Sequence, residues 1–228
     1  MKTLTKKVVA PVAVSLIALG VGQAVAYEAG DIVVRGGIAS VNPDSDSDDI
    51  LPGAIGAGNT VEVDSGVAAG ISATYMLSAN LGVELLASTP FSHDIDGKGS
   101  VLGGVAIGET KHLPPTVSVQ YNYPVDNKLN VYAGLGLNFT TFFSEKEDDE
   151  LKALLGNDVK VKLKDSYGLA ASAGVDYQID EHWGVNAGVY LVDIDTEAKL
   201  SAAAIGGTTK FDVNIDPMVY RLNAVYKF

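Results

Sequence analysis

Three aspartates at alternate positions near the start of the chain are the first candidates for chemistry. Asp44, Asp46 and Asp48 have the spacing of the opening ligands of an EF-hand calcium loop. The match fails further on, because Asp49 occupies the glycine position of that loop and Ile55 stands where a bidentate glutamate is required. We therefore predict no calcium site. A solvated acidic loop is the simpler interpretation, and a loose association with divalent cations is the alternative.

The other residue types that commonly do chemistry do not predict an active site. The chain has no cysteine, which excludes disulfides and thiolate nucleophiles. Its three histidines, His93, His112 and His182, are scattered along the sequence, so we expect no shared metal site and assign them no role. No G-x-S-x-G sequence is present, and Gly134 and Gly136 are not followed by the strand-to-helix unit of a nucleotide loop. The sequence predicts a protein that is not an enzyme and that has no cofactor and no metal.

The first 26 residues have the features of an export signal. Three lysines precede an apolar stretch over residues 8–21 that is too short to span a membrane, and residues 24–26 form an A-x-A cleavage site. We predict a signal peptide over residues 1–26 and one mature domain over residues 27–228. An uncleaved anchor helix is the alternative, and Pro11 and Ser15 argue against it.

The mature chain is strongly acidic. The formal net charge is −12 for the whole sequence and becomes −15 when the three leader lysines are removed. Such a charge disfavours nucleic acid and anionic membrane surfaces as partners. The acids are concentrated in residues 44–49 and 145–150, and the segments between these runs are apolar.

Those apolar segments alternate with a period of two residues. At the C-terminus, Tyr220, Leu222 and Ala224 fall on one face, and Arg221 and Asn223 fall on the other. The same alternation predicts eight strands, over residues 32–41, 67–77, 81–90, 116–123, 129–139, 166–177, 183–191 and 220–228.

The lengths of the connections distinguish between two architectures that both alternate. Short turns (78–80, 124–128, 180–182) alternate strictly with long loops (43–60, 95–111, 144–161, 200–210). A soluble β-sandwich would not sort its connections by side, and no mature segment approaches the ~20 apolar residues of a transmembrane helix. We therefore predict an all-β fold, an eight-stranded antiparallel transmembrane β-barrel with short periplasmic turns and long extracellular loops.

The third long loop contains a short amphipathic segment. Residues 145–157 place Leu151, Leu154 and Leu155 at helical spacing behind a run of acids. We predict a short helix, which either covers the mouth of the barrel or lies on its surface in water.

Several collinear blocks of the sequence are similar to one known family. They are residues 82–91 (GVELLASTPF), 112–116 (HLPPT), 133–143 (AGLGLNFTTFF), 163–177 (LKDSYGLAASAGVDY), 193–196 (DIDT) and the final aromatic strand. Together they resemble the OmpW family of small barrels in the outer membrane of Gram-negative bacteria, from about residue 28 to residue 228. The resemblance implies eight strands, a hydrophobic lumen and the uptake of small hydrophobic compounds.

Any passage through such a barrel must be narrow, because the interior of eight strands is barely wide enough for side chains. The alternation points Leu86 and Tyr190 inward, and the resemblance implies that these two residues form an apolar constriction in the lumen. Ordinary packing of the interior is the alternative.

Four charged residues also point inward, nearer the periplasmic end: Arg35, Glu84, Asp176 and Arg221. Opposite charges in a confined lumen should pair, since an isolated charge is costly to desolvate. A paired cluster would block straight passage, so an apolar ligand that arrives from outside would leave sideways into lipid.

Prolines mark one edge where such an exit could lie. Pro90 ends the third predicted strand, and Pro114 and Pro115 precede the fourth. Because prolines cannot donate to a strand ladder, we predict a local lateral gap between these strands. Strand termination alone is the alternative explanation.

The sequence therefore predicts an outer-membrane barrel that gives passage to small hydrophobic molecules. We expect small hydrophobic ligands, outer-membrane lipid, lipopolysaccharide and the barrel-assembly machinery as partners. The main alternative is a non-conducting structural or receptor barrel whose extracellular loops bind phage, toxin or ligand. A barrel that senses lipid is a third possibility.

Overall fold

The chain forms a closed barrel that continues at one end into a second layer of strands and short helices. The structure is a computed structural model and describes residues 27–228, so the predicted signal peptide lies outside the described residues. Two short helices, α1 (Pro52–Ile55) and α2 (Asp149–Leu155), and a 3-10 turn at Ala203–Ile205 accompany the strands. The strands of these residues are, in chain order, β1 Ile32–Asn42, β2 Asp46–Ser47, β3 Thr60–Val63, β4 Gly66–Met76, β5 Leu81–Ser88, β6 Phe91–Lys98, β7 Ala106–Leu113, β8 Thr116–Pro124, β9 Leu129–Glu147, β10 Lys160–Leu163, β11 Ser166–Gln178, β12 Trp183–Val192, β13 Asp195–Ala202, β14 Gly207–Asn214 and β15 Met218–Lys227.

Eight of these strands close the barrel, and they are the eight that the alternation predicts. Each pairs antiparallel with two neighbours, in the ring β1, β4, β5, β8, β9, β11, β12, β15 and back to β1. The fold prediction is therefore confirmed. The largest difference is in β9, which continues to Glu147 and so extends far beyond its predicted end at residue 139.

The three predicted short turns lie together at one end of the barrel, called here the short-turn end. Each turn is closed by the same kind of backbone hydrogen bond, from an N–H to the carbonyl oxygen four residues later. The donor and acceptor pairs are Leu77 to Leu81 (2.7 Å), Val125 to Leu129 (2.8 Å) and Ile179 to Trp183 (2.9 Å).

The barrel exposes its apolar residues and buries its polar ones. Leu135 and Leu169 point outward and are 73% and 67% exposed, whereas Arg35, Glu84 and Gln120 point inward and are fully buried. An apolar outer face is stable only in an apolar medium, and closure of the ring leaves no unpaired edge within it. No helix in residues 27–228 is long and apolar enough to cross a membrane.

The four long connections lie together at the other end, and much of their length forms additional strands that the sequence did not predict. Here β3, β6 and β7 continue the sheet beside the upper part of β9, and β10, β13, β14 and β2 form a separate four-stranded sheet. These strands with α1, α2 and the 3-10 turn are called the extension. Residues 95–111 and 200–210, which the sequence predicts to be loops, lie largely in the hairpins β6–β7 and β13–β14.

The alternation keeps its phase between barrel and extension, but its chemistry is reversed. On β12 the outward residue is Leu191, whereas on β13 the outward residues are Glu197 and Lys199. The inward residues of β13, such as Ala198 and Leu200, are buried and apolar. This reversal follows from the surroundings, since an apolar medium favours apolar side chains outside and water favours them inside.

The predicted amphipathic helix is confirmed as α2, although it begins at Asp149 rather than at residue 145. The later start follows from β9, which still occupies residues up to Glu147. The side chain of Asp148 caps the helix by accepting a hydrogen bond from the backbone N–H of Glu150 (3.0 Å). Leu151 is buried, so the helix packs its apolar side onto the extension.

Candidate ligand cavity and luminal polar network

The extension encloses an apolar cavity of about 260 Å³, called here the upper cavity. Its wall is built from both sheets and from α2, whose Leu151, Leu154 and Leu155 all line it. The helix therefore forms part of the cavity wall, and its role as a cover over the mouth of the barrel stays a prediction. The other aliphatic and aromatic lining residues include Ile50, Ile95, Leu102, Ile107, Phe142, Leu200, Phe211 and Val213.

A second cavity of about 40 Å³ adjoins the upper one, because His112 lines both. This lower cavity is lined by Leu86 and Tyr190, the two residues predicted to form a constriction. Tyr190 is buried, and its hydroxyl group donates to the carboxylate of Glu84 (3.1 and 3.2 Å). The floor of the lower cavity is thus polar at one point, and the constriction role of Leu86 and Tyr190 stays a prediction.

Beneath the lower cavity, the lumen is filled by a network of polar side chains. Arg35 donates from Nε to Asp176 Oδ1 (2.9 Å) and from Nη2 to Asp176 Oδ2 (2.7 Å). Asp176 also accepts from the hydroxyl of Tyr27 (2.8 Å) and from the amide of Asn186 (2.8 Å). A buried carboxylate with four such donors is fully compensated for the loss of water.

The remaining predicted charges join this network in different ways. Glu84 lies 3.9 Å from Arg35 Nη1 and accepts from Ser118 (3.4 Å). Arg221 contacts the Tyr190 hydroxyl (3.5 Å) and donates to Asn223 (3.1 Å). The structure thus brings Arg35, Glu84 and Asp176 together, but among the described residues Arg221 has no carboxylate within ion-pair distance.

The resemblance implied a hydrophobic lumen, and the structure corrects this for the barrel itself. The apolar lining belongs to the extension, whereas the barrel interior holds buried polar residues: Ser72, Thr74, Gln120, Asn122, Asn186 and Asn223. The alternation already placed such residues inward. They can be buried because they hydrogen-bond one another, as Asn223 does with Asn186 (2.7 Å).

The pairing between β5 and β8 stops early, at the edge that the prolines mark. The last paired residues are Leu86 and Thr116, and the next pairing between the two chain segments is Phe91 with His112. Between these points, Pro115 O accepts from the N–H of Phe139 on β9 (3.0 Å) rather than from β5. Ser88 and Pro114, at the two sides of this interruption, both line the lower cavity.

The expectation that the histidines are scattered was wrong for two of them. The rings of His93 and His112 stack with centroids 4.8 Å apart and an interplanar angle of 11°, and both residues line the upper cavity. The sequence did carry a signal for them. Phe91, His93 and Ile95 alternate with Ser92, Asp94 and Asp96, which is the pattern of a strand with water on its outer face.

Asp44, Asp46 and Asp48 do not gather into a cluster of possible metal ligands. Instead, Asp193, Asp195 and Asp216 offer carboxylate oxygens within 4.8 Å of one another. All three are exposed and lie outside both cavities. Exposed acidic groups are common without an ion, so this group carries no functional assignment.

A closed ring of eight antiparallel strands with an apolar outer face and a polar interior defines a transmembrane β-barrel. Comparison with known proteins then places the chain more narrowly. It belongs to the OmpW family, whose model matches residues 28–228. The chain is therefore an outer-membrane protein of a Gram-negative bacterium, and lipid covers the outer face of its barrel. Barrels of this kind have their short turns in the periplasm, so the short-turn end is periplasmic and the extension is extracellular.

Individual relatives agree with this assignment over most of the chain. Outer membrane protein W of Vibrio cholerae is 42% identical over 216 residues, which cover 93% of this chain and 95% of that protein. The crystal structure of OprG from Pseudomonas aeruginosa has a TM-score of 0.82 and 42% identity, covering 90% of this chain and 99% of that one. A more distant relative from Pseudomonas aeruginosa, the dibenzothiophene metabolism operon protein PahQ, is 23% identical over 64% of each chain.

Proposed function

We propose that this protein gives small hydrophobic molecules passage into the outer membrane, by way of the upper cavity and a lateral exit between β5 and β8. The observation that carries the proposal is the position of the upper cavity, an apolar space directly above a lumen closed by buried charges. An apolar molecule that enters from outside gains free energy by leaving water.

Straight passage to the periplasm is opposed by the network below. A hydrophobic molecule could continue downward only by separating Arg35 from Asp176 and leaving both charges without partners. Breaking a buried ion pair in this way costs several kcal/mol. The lipid beside the barrel is the more favourable destination.

The interruption of the ladder between Leu86–Thr116 and Phe91–His112 supports a sideways route. Ser88 and Pro114 flank the interruption and line the lower cavity, which adjoins the upper one. Opening the wall at this point therefore breaks few hydrogen bonds, whereas opening it elsewhere would break a paired ladder. The name of the relative PahQ, which refers to dibenzothiophene metabolism, adds support for a small apolar cargo.

Cross-linking across the interruption tests the lateral exit. The chain contains no cysteine, so a bifunctional thiol reagent can join a Ser88→Cys/Pro114→Cys variant without reacting at other positions of the chain. Entry of N-phenyl-1-naphthylamine into cells is followed by its fluorescence. We expect the cross-link to slow entry several-fold compared with the same variant left unlinked.

A matched control joins the same two strands where they are already paired. Leu85 and Val117 are register partners that face lipid, so a Leu85→Cys/Val117→Cys cross-link should leave entry unchanged. Equal entry with and without the Ser88–Pro114 link would overturn the lateral exit. If deletion cells took up the probe as fast as complemented cells, passage itself would be rejected in favour of a receptor barrel.

The class of protein also supports two further partners, lipopolysaccharide at the outer leaflet and the barrel-assembly machinery during insertion. We propose that the protein contacts both of them. Co-purification of lipopolysaccharide with the folded barrel, and loss of folded barrel from cells depleted of the machinery, are the observations that test them.

A further inference from the structure

One wall of the upper cavity contains two buried polar atoms that have no hydrogen-bond partner. These are Nε2 of His93 and the hydroxyl oxygen of Thr110. Both residues line the cavity and are almost completely buried, with exposed fractions of 2% and 3%. Buried polar atoms are normally satisfied, so a pair of unsatisfied ones in the same cavity wall calls for an explanation.

The two atoms belong to neighbouring side chains. His93 on β6 and Thr110 on β7 are register partners in the β6–β7 hairpin, and both point inward. Side chains directly opposite each other in an antiparallel pair have Cβ atoms about 5 Å apart. One ligand oxygen can therefore bridge the two groups once small movements of the side chains turn both polar atoms toward the cavity.

The tautomer of His93 follows from its other nitrogen. Nδ1 lies 2.5 Å from the backbone carbonyl oxygen of Asp64. A carbonyl oxygen can only accept, so Nδ1 carries the proton, and Nε2 of the neutral ring is an acceptor without a hydrogen. Burial lowers the pKa of His93, which keeps the ring neutral.

The surroundings hold the ring in this orientation. It stacks on His112, and a Cβ atom at Gly66 would overlap its Cε1 atom and crowd Nε2. Glycine at position 66 thus makes room for the imidazole. The His93 ring is thus held in the cavity wall by its neighbours and does not turn freely.

We propose that the upper cavity binds apolar molecules that carry one hydroxyl group, with His93 Nε2 accepting the ligand's proton and the Thr110 hydroxyl donating to the ligand's oxygen. The inference rests on the proposed function and names its cargo as aliphatic or aromatic alcohols. A pure hydrocarbon would fill the same space but leave both protein atoms unsatisfied, which carries a penalty.

Competition among three probes of equal chain length tests this inference. The full barrel in lipid nanodiscs is loaded with N-phenyl-1-naphthylamine, and n-nonane, heptyl methyl ether and 1-octanol are added in turn. Partition into nanodiscs without protein is subtracted. We expect 1-octanol to compete about tenfold better than nonane, and the ether, which can only accept, to lie between them.

Substitutions assign the two hydrogen bonds separately. His93→Phe removes the acceptor and should reduce the competition by 1-octanol to that of the ether. Thr110→Val removes the donor and should reduce the competition by the ether to that of nonane. Gly66→Ala, which displaces the His93 ring without removing it, should also weaken the binding of 1-octanol and leave that of nonane unchanged.

Thr196→Val is the matched control, because Thr196 lines the same cavity but its hydroxyl already donates to the carbonyl oxygen of Lys164 (2.6 Å). It should not change the order of the three probes. Folding of each variant is checked by the electrophoretic mobility of the unheated barrel. Nitrogen-15 NMR of labelled histidine gives an independent readout, since Nε2 of His93 should shift with 1-octanol and not with nonane.

The outcomes separate the two proposals. If no probe displaces the fluorophore, the cavity does not bind apolar molecules and the proposed function falls with it. If nonane competes as well as 1-octanol on the wild-type barrel, or if His93→Phe leaves their ratio unchanged, the alcohol inference is wrong while hydrophobic passage stands.

Discussion

The guanidinium of Arg35 and the carboxylate of Asp176 form a bidentate ion pair that joins two strands with no direct contact in the sheet. Arg35 lies on β1 and Asp176 on β11, and β15 and β12 separate these strands around the ring. Both side chains are buried. The pair therefore joins two separated parts of the barrel wall through the interior, in addition to the hydrogen bonds between neighbouring strands.

We predict that Arg35→Met lowers the free energy of unfolding by about 3–5 kcal/mol, because it leaves the Asp176 carboxylate buried without its charge partner. The double replacement Arg35→Met/Asp176→Leu should recover much of this loss, since no isolated charge remains. Urea unfolding in lipid vesicles measures both. Lys98→Met, which removes an exposed ion pair with Glu62 in the extension, should cost far less. Equal losses from Arg35→Met and Lys98→Met would contradict the prediction.

Acid should loosen the extension before it affects the barrel. Burial, and secondarily the neighbouring His93, lowers the pKa of His112 to about 3, against ~6.5 in the unfolded chain. Between these values the unfolded state binds the extra proton, so the stability from neutral His112 is complete above about pH 6.5 and falls as the pH drops, by up to about 1.4 kcal/mol per unit.

Hydrogen exchange of the β6 and β7 amides between pH 7 and pH 4, corrected for intrinsic rates, measures this loss. His112→Phe should flatten the dependence, because the phenyl ring preserves the stacking volume and cannot be protonated. His182→Phe is the control, since His182 lies at the periplasmic turn, outside the segment being measured. An unchanged pH dependence in His112→Phe would show that another group is responsible.

A methyl group at Gly174 should disturb the network through Tyr132. A Cβ atom there would overlap the phenol of Tyr132, whose ring contacts the Arg35 guanidinium at 5.0 Å and whose hydroxyl accepts from Asn186 (3.2 Å). We expect Gly174→Ala to cost about 1–3 kcal/mol of unfolding free energy, as overpacking does. Gly36→Ala is the matched control, because its Cβ would meet nothing within 4 Å. The prediction fails if the two variants are equally stable in urea.

Filling the lower cavity should slow transport without destabilising the barrel. Leu86→Trp places a larger apolar ring where Leu86 now lines a space of about 40 Å³. We expect several-fold slower entry of N-phenyl-1-naphthylamine into cells. Leu135→Trp adds the same ring on the lipid side, where Leu135 is largely exposed, and should leave entry unchanged. If Leu86→Trp cells take up the probe at the wild-type rate, the constriction lies elsewhere.

The barrel strands could be predicted from sequence because one physical requirement repeats along each of them. Every second residue must tolerate lipid, so Leu135, Leu169 and Leu222 mark their strands without reference to any distant residue. The extension obeys the opposite rule, since Glu197 and Lys199 face water there. The pattern of apolar outward residues therefore stops at the membrane boundary and does not predict the strands of the extension.

The sequence predicted the residues of the site only where it was enough to know which side chains point into the lumen. That phase placed Arg35, Glu84 and Asp176 in the lumen, where the structure brings them together. It could not place Arg221 beside Tyr190 rather than a carboxylate, because heights in the barrel depend on the stagger between strands. The contact of His93 with His112 depends on the β6–β7 register, which shifts by one at Ile95 and Asp96.

The reversal of polarity between β12 and β13 also fixes how deep the molecule sits. Advancing by two residues along a strand moves about 6.6 Å, less the effect of tilt. Sinking by that amount would carry the carboxylates of Asp193 and Asp195 into hydrocarbon, and rising by it would bring Leu191 into water. The depth of the molecule in the membrane is thus fixed. The proline-flanked interruption lies where the outward side chains change from apolar, as at Leu85, to polar, as at Ser92. We therefore expect the proposed lateral exit to release a hydrophobic molecule into the acyl chains of the membrane without a return to water.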